Sequence, residues 1–232
     1  MTRTKIPWAD YTWHPVTGCS HSGSPGCDHC YAAALSKRFG WHWGSPIYHN
    51  ERIDEPRKLT KPARIFVGSM TDLFHPFTPT WTDYWNETAL RDIWATMSVC
   101  RHHTFMILTK RPAIMWGWFN RCERLPNVWA GVTCCTQKEY DENARAMSGI
   151  NTVLSFVSLE PLLERIEMET MPFQWVIAGP ETGPKKRPCP DEWFSPLATA
   201  CENWHVPFFD KRDQFTRREW PDCARKAMEG KG

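Results

Sequence analysis

Short, uninterrupted apolar segments alternate with helix-like segments along most of this chain of 232 residues. The strand-like segments are apolar throughout, which is typical of strands in a parallel sheet with both faces covered. We predict seven strands, at residues 11–17, 64–68, 104–109, 127–133, 152–158, 174–179 and 206–210. The helices predicted between them lie at residues 28–39, 81–100, 112–121, 136–148 and 191–204.

This order of elements predicts an α/β fold, with a single domain over residues 1–232. Its 41% apolar content and 14 Trp are enough for a substantial core. Seven strands with interleaved helices favour a partial TIM-like (βα) barrel of parallel strands, since a complete barrel takes about 250 residues. A doubly wound open sheet is the alternative. No Gly-x-Gly-x-x-Gly follows the first strand, which weighs against dinucleotide binding.

Charge and hydropathy limit the classes of partner. The formal net charge of +2 permits a nucleic acid or phosphate partner but does not require one. No apolar stretch approaches the length of a membrane span, and the N-terminal residues lack the apolar segment of a secretory signal. We therefore expect no membrane partner and a cytoplasmic location, in which the ten cysteines stay reduced.

Three of these cysteines lie close together in a segment that we call the cluster loop, residues 18–31. Cys19, Cys27 and Cys30 follow the first predicted strand with the spacing Cys-x7-Cys-x2-Cys. Three thiolates from one loop can hold a [4Fe–4S] cluster and leave one iron open to another ligand. A helix beginning at about Asp28 would direct its positive dipole end toward that anionic centre.

Two other states of these cysteines stay open. His21 or His29 could complete a Cys3His zinc site, although no second pair of ligands with finger-like spacing follows along the chain. Uncoordinated thiols are the third state.

Polar and ionisable side chains follow every predicted strand, and active sites of parallel barrels lie at that end of the strands. A Trp- and Pro-rich connection, residues 41–63, separates the first helix from the second strand. For the adjacent pair Cys134 and Cys135 we favour two buried side chains over a resolving thiol or an auxiliary metal ligand. The other candidates are Ser69, Asp72, Lys110, Arg111, Glu160 and Glu181.

Segments along almost the whole chain resemble an uncharacterised family of phage and prophage proteins that is related to the radical S-adenosylmethionine superfamily. The cluster loop, with its Cys-Asp-His-Cys-Tyr ending, resembles the superfamily's three-cysteine loop, although its first gap has seven residues rather than three. Gly179-Pro180-Glu181 stands where the family has Gly-Gly-Glu. The matching segments are residues 13–19, 26–31, 65–75, 104–112, 125–132, 158–163, 175–181 and 206–209.

This resemblance implies a radical-SAM-like barrel and an iron–sulfur, S-adenosylmethionine-dependent enzyme, located in the host cytoplasm if it is phage-encoded. Cys19, Cys27 and Cys30 would each bind one iron of a [4Fe–4S] cluster, and S-adenosylmethionine would chelate the fourth. An external electron donor would drive cleavage to a 5′-deoxyadenosyl radical that abstracts hydrogen from a substrate. The substrate stays open, and nucleic acid or a nucleotide is the class that a phage setting suggests.

The resemblance also implies which strand-end residues contact S-adenosylmethionine. They are Ser69 and Asp72 for the methionine amine, Lys110 or Arg111 for the carboxylate, and Glu160 or Glu181 for the ribose hydroxyls.

Two competing functions remain at this stage. One is a zinc-stabilised nucleic-acid-binding protein without catalysis, which basic stretches and abundant Trp would support through phosphate contact and base stacking. The other is a catalytically inactive barrel that retains a structural cluster. The basic stretches are residues 110–111, 185–187, 211–212 and 217–218.

Overall fold

A computed structural model describes residues 1–76, 84–183, 185–212 and 217–223, with the backbone alone for residues 84–86. No helix within these ranges is both long and apolar enough to cross a membrane. The described strands are β1 (Thr2–Arg3), β2 (Tyr11–Trp13), β3 (Val16–Thr17), β4 (Ile47–Tyr48), β5 (Arg64–Val67), β6 (Thr104–Thr109), β7 (Val128–Thr133), β8 (Ser155–Leu159), β9 (Trp175–Ala178) and β10 (Phe208–Asp210). The described α-helices are α1 (Tyr31–Phe39), α2 (Tyr84–Val99), α3 (Pro112–Arg121), α4 (Gln137–Met147) and α5 (Phe194–Asn203).

One large sheet organises the fold. Its strand order is β1-β2-β5-β6-β7-β8-β9-β10, and every neighbouring pair is parallel except β1 with β2. The order follows the chain from one edge to the other, whereas a doubly wound sheet reverses its order at a switch point. Within the described ranges no pairing joins the two edges. The fold is therefore a mixed α/β fold with an open, mostly parallel sheet, and the doubly wound alternative was wrong.

Helices α2 to α5 cover one face of this sheet. Parallel crossovers are nearly always right-handed, so successive crossovers in one direction place all their helices on the same side. Alternate strand residues such as Ile65, Ile107, Val132, Val157 and Val176 are at most 1% exposed and share a core with those helices.

The other face carries a second, aromatic core. Trp8, which precedes β2, lies 4.8 Å from the ring of Phe66 on β5 and 6.4 Å from the ring of Phe156 on β8. These two strands are three places apart, which is about 14 Å in a flat sheet. One Trp can contact both rings because the sheet curls around this inner face. The inner core consists of Trp8, Ala9, Phe66, Met106, Trp129, Leu154, Phe156, Trp175, Ile177 and Phe209.

Trp220, near the end of the described chain, also spans the inner face. Its ring lies 5.1 Å from that of Trp175 on β9, and the Arg64 guanidinium of β5 lies 4.1 Å from its centre. In a flat sheet β5 and β9 would be about 19 Å apart. This second bridge is further evidence of a strongly curled sheet.

The predicted elements are largely confirmed, although β8 and α5 each begin three residues later than predicted. Larger differences occur near the N-terminus. The strand predicted at residues 11–17 is divided at Pro15, which has no N–H to donate. Its first part, β2, stays in the main sheet, and its second part, β3, pairs with β4 from the connection 41–63. Strand β1 was not predicted. The start predicted for the helix at residues 81–100 lies outside the described residues.

Gly131 on β7 allows the inner core to pack. A Cβ atom at this position would lie 2.2 Å from Phe156 Cζ. Gly131→Ala should therefore lower the free energy of unfolding by about 1–3 kcal/mol, because the ring must shift to relieve the overlap. Urea denaturation followed by circular dichroism measures this change.

Gly117→Ala in α3 is the matched control. Apart from the adjacent residues and the backbone of α3 itself, no described atom lies within 4 Å of a Cβ at Gly117. Alanine there should leave the stability unchanged or raise it by about 0.5–1 kcal/mol, since it is the better helix former. Equal decreases in the free energy of unfolding of the two variants would contradict the packing described for the inner face.

Candidate metal and cofactor site

The cluster loop lies across the carboxyl ends of five neighbouring strands. Gly18 forms a bridge with Thr71, and Pro161 Cδ lies 3.4 Å from the position that a Cβ on Gly26 would take. The structure thus brings the predicted strand-end residues to one side of the sheet, beside the three cysteines. The loop meets Thr71 after β5, Arg111 after β6, Cys135 after β7, Pro161 after β8 and Glu181 after β9.

Arg111 fastens the Cys19 end of the loop to the sheet. Its Nη1 group donates to Asp72 Oδ2 at 2.9 Å and to Cys19 Sγ at 3.8 Å. Its Nη2 group donates to the Ser20 carbonyl oxygen at 3.1 Å. The Arg111 and Asp72 side chains are only 9% and 8% exposed, so removing either would leave a buried charge without its counterion. We call this buried ion pair the first clamp.

Asp72 is fully engaged in this arrangement. Besides Arg111, its carboxylate accepts hydrogen bonds from the Thr109 hydroxyl at 2.6 Å and from the Phe74 and Lys110 N–H groups at 3.0 Å. Four donors occupy the acceptor positions of a carboxylate. A contact between Asp72 and a methionine amine, as predicted, would require one of these bonds to be given up. Here Asp72 holds Arg111 and the turn that follows β6.

A second carboxylate–guanidinium pair holds the other end of the loop. The Glu181 carboxylate belongs to a residue that is only 7% exposed. It accepts three hydrogen bonds from Arg187, one from the backbone N–H at 2.8 Å and two from the side-chain Nε and Nη2 groups at 3.0 and 2.5 Å. Arg187 also donates to the Pro25 carbonyl oxygen at 3.0 Å, and His29 Nδ1 lies 3.0 Å from the same carboxylate. We call this pair the second clamp.

The Glu160 and Lys110 side chains have fewer hydrogen-bond partners among the described residues than the side chains of the two clamps. Glu160 pairs with Lys211 and accepts from the Ser158 hydroxyl at 2.9 Å. The Lys110 ammonium makes no hydrogen bond or ion pair with any described residue, and Lys110 Cε approaches Gly26 of the cluster loop. The Ser69 carbonyl oxygen accepts from the Tyr31 hydroxyl at 2.5 Å.

The three cysteines are free thiols of intermediate exposure. The Cys19 thiol donates to the Ser20 carbonyl oxygen at 3.3 Å, and Cys27 Sγ lies 3.2 Å from Ser22 Oγ. Burial and the Asp72 carboxylate raise the pKa of the Cys19 thiol, while the nearby guanidinium opposes this shift. Across the described part of the chain, no three His, Cys, Asp or Glu side chains meet at a position for one metal ion.

The two histidines considered for a zinc site are engaged elsewhere. His21 Nε2 lies 2.8 Å from Asp28 Oδ1, and His21 Nδ1 accepts from the Gly23 N–H at 2.9 Å. His29 faces Glu181 of the second clamp. Neither ring therefore completes a Cys3His set in this structure.

Helix α1 begins three residues later than predicted. Pro25–Cys27 forms a short 3₁₀ helix that the Ser24 side chain caps, so the start proposed at Asp28 was wrong. Cys30 is the N-cap residue of α1, and no side chain of the described residues caps it. The backbone N–H groups of the first turn consequently lie next to Cys30, where they favour an anionic ligand.

Cys134 and Cys135 are both 0% exposed, so the prediction of two buried side chains is confirmed. Burial raises the pKa of Cys135 to about 12. A Cβ on Gly26 would lie 2.5 Å from Cys135 Sγ, and the Ser24 hydroxyl lies 3.9 Å from it. Cys135 thus packs against the middle of the cluster loop. Its close approach to residue 26 requires glycine there, because any Cβ would overlap the sulfur.

Sequence reasoning missed the individual roles of Arg187 and Lys211. Both were predicted only as members of basic stretches. Lys211 pairs with Glu160, which lies 51 residues earlier in the chain, and nothing in the linear sequence identifies a partner at that distance. All four stretches supply cations to internal pairs, which reduces the positive charge they offer to a partner. The pairs are Arg111–Asp72, Arg187–Glu181, Lys211–Glu160, Arg212–Asp210 and Arg217–Glu219.

The second clamp should make stability depend on pH. Arg187 holds the pKa of Glu181 at about 2, below its ordinary value of 4.5. The stabilisation is complete above about pH 4.5 and is lost as the pH falls toward 2, because the carboxylate then becomes protonated. Glu181→Gln should lower the free energy of unfolding at neutral pH by about 2 kcal/mol. Urea denaturation should show that the free energies of unfolding of the variant and of wild type become more similar as the pH falls below about 4.5.

Glu167→Gln is the control for this effect. Glu167 and its partner Arg165 are 56% and 59% exposed, so the loss of their ion pair should change stability little at any pH. A Glu181→Gln deficit that stays constant as the pH is lowered would rule out the ionised carboxylate as its cause.

Comparison with known proteins places the chain in a family. No curated protein and no solved structure matches it. A family model described as "protein of unknown function (DUF5131)" matches residues 3–231, which is almost the full length. The chain therefore belongs to the DUF5131 family.

Proposed function

We propose that this chain is an iron–sulfur enzyme of the radical S-adenosylmethionine type, with its cluster held by Cys19, Cys27 and Cys30. The observation that carries the proposal is the position of these thiols. They lie on one loop that two ion pairs fasten over the carboxyl ends of a chain-ordered, curled parallel sheet. That edge is where parallel barrels carry their active sites. A partial TIM-like barrel of the radical-SAM type belongs to the same proposal, and the strand order and the curl support it.

The donor set fits a [4Fe–4S] cluster better than a single ion. Each thiolate of such a cluster binds a different iron, so the three sulfurs do not have to meet at one point. All three thiols are free and partly exposed. Arg111 directs an N–H group at Cys19, and Cys30 lies at the uncapped start of α1, and both arrangements favour a negatively charged centre.

Lys110 and Glu160 are the residues best suited to hold S-adenosylmethionine. The Lys110 ammonium has no hydrogen-bond or ion-pair partner among the described residues, since only the backbone N–H of Lys110 donates to Asp72. Its positive charge is complementary to the methionine carboxylate. Glu160 has accepting capacity left for the ribose hydroxyls, because it has two described partners. Asp72 and Glu181 are already surrounded by donors and act on the cofactor through the clamps.

The chemistry that a cluster and S-adenosylmethionine supply when bound is reductive cleavage, with an external electron donor, followed by hydrogen abstraction from a substrate. The chain's own residues hold the reacting groups in position. The first clamp fixes the loop at Cys19, the second fixes it at His29, and Cys135 supports it between them. Among the described residues, apolar side chains fill the interior of the curled sheet, so the polar groups of the site lie at the strand ends.

The competing functions are less well supported. A zinc-stabilised nucleic-acid-binding protein would need a fourth ligand, yet His21 and His29 both face carboxylates. The basic stretches that favoured it are largely paired within the chain. An inactive barrel with a structural cluster differs from the proposed enzyme only in its failure to cleave S-adenosylmethionine, and an assay for 5′-deoxyadenosine separates the two.

Anaerobic purification tests the cluster directly. The protein should be brown, with broad absorption at about 400 nm and about four irons and four sulfides per chain. Replacing Cys19, Cys27 and Cys30 together with Ser should abolish iron binding, because serine provides no thiolate. Iron and sulfide analysis measures both outcomes.

Cys122→Ser is the matched control, since Cys122 is also a free thiol of intermediate exposure but follows α3. It should retain the full iron content. A colourless wild-type protein with one zinc, or a triple variant that keeps its iron, would show that these three cysteines do not hold a cluster.

Lys110→Ala tests the cofactor contact. In the iron-loaded protein this change should weaken S-adenosylmethionine binding about tenfold, the cost of one charge-assisted hydrogen bond, with the iron content unchanged. Isothermal titration calorimetry measures the affinity. Lys138→Ala removes a lysine whose side chain is 83% exposed on α4, and it should have no effect. Equal affinities for all three proteins would remove Lys110 from the cofactor site.

A further inference from the structure

An exposed aromatic and basic surface borders the cluster loop. It is formed by Lys37, Arg38, Phe39 and Trp41, at and just after the end of α1, and we call it the α1 patch. Phe39 and Trp41 are 54% and 56% exposed. Their rings stack with centroids 5.0 Å apart and planes 26° apart, and the Arg38 guanidinium lies 5.4 Å from the Phe39 ring.

The end of α1 builds this stack. Gly40 has a φ of +65°, a left-handed conformation that suits glycine, and it closes the helix. The N–H groups of Gly40 and Trp41 both donate to the Ser36 carbonyl oxygen. This tight turn returns Trp41 to the side of Phe39, so the two rings are held together on the surface.

Exposed apolar side chains are most frequent in the chain segment that contains the α1 patch. The described residues include eight exposed large apolar side chains, and four of them lie between residues 31 and 47. Single exposed apolar residues are common, but a group of them indicates a surface that binds something.

Charge indicates what that ligand is. Residues 29–50 contain no Asp or Glu, and they include Lys37 and Arg38. Neither cation has an ion pair with a described residue, in contrast to Arg111, Arg187 and Lys211. The α1 patch therefore combines stacked aromatic rings with positive charge and has no acidic residue in its own segment to repel a phosphate.

We propose that the α1 patch binds single-stranded nucleic acid. Unpaired bases stack on exposed aromatic rings, and phosphates bind nearby Lys and Arg side chains. The Gly44 N–H donates to the Cys19 carbonyl oxygen at 3.0 Å, and Trp41 is three residues from Gly44, a chain distance of at most about 11 Å. A bound strand would thus lie beside the cluster loop, and its role as the substrate rests on the proposed function.

Fluorescence anisotropy with labelled oligonucleotides of about 20 nucleotides tests this binding on the full chain. Single-stranded DNA or RNA should bind more tightly than duplex DNA of the same length, because only unpaired bases can stack. Phe39→Ala and Trp41→Ala should each weaken binding about tenfold. Arg38→Gln should weaken binding and reduce its dependence on salt concentration.

Trp204→Ala is the control, since Trp204 is 50% exposed at the end of α5 and lies outside the patch. It should bind like wild type. The proposal is overturned if single strands do not bind, if duplex DNA and heparin bind equally well, or if Trp41→Ala binds like wild type.

Binding measured on iron-loaded and iron-free preparations separates this proposal from the proposed function. Oligonucleotide binding by a chain that never takes up iron would support the patch and contradict the enzyme. An iron-loaded chain that does not bind oligonucleotides would overturn the proposal for the α1 patch and leave the proposed function standing.

Discussion

The buried ion pair between Asp72 and Arg111 joins three segments that are far apart in the sequence. It connects the end of β5, the end of β6 and the Cys19 end of the cluster loop. Because both charges are buried, each depends on the other and on the surrounding N–H and hydroxyl donors. Glu181 and Arg187 use the same chemistry at the other end of the loop. The loop that carries the three cysteines is therefore held from both sides by the protein itself.

The winding of the sheet explains why this edge is available for a site. Strands added in chain order place their helices on one face, and the other face curls around an aromatic interior. Trp8 and Trp220 bridge strands that a flat sheet would keep well apart, and they complete that interior. With the interior filled, side chains that need solvent or a ligand collect at the strand ends. The proposed cofactor contacts and the α1 patch both lie beside the cluster loop, which crosses this edge.

Most of the regular structure could be predicted, because continuous apolar strands and helix boundaries are local signals. Strand β6 and helix α3 have the predicted bounds. Ionic partners could not be predicted, since the pairing of Lys211 with Glu160 depends on which strand ends become neighbours. The sequence identified Asp72 as a strand-end carboxylate, but it could not show that four donors already surround it. The start of α1 was misjudged because Pro25 begins a separate 3₁₀ turn just before the helix.

The most direct test of the proposed centre is electron paramagnetic resonance of the reduced, iron-loaded protein, recorded with and without S-adenosylmethionine. Three cysteine ligands leave one iron of a [4Fe–4S] cluster open, so S-adenosylmethionine should bind that iron and change the spectrum. The account predicts a reduced-cluster signal that shifts on addition of S-adenosylmethionine. A cluster signal that S-adenosylmethionine leaves unchanged, or a protein that carries zinc and no iron, would contradict it.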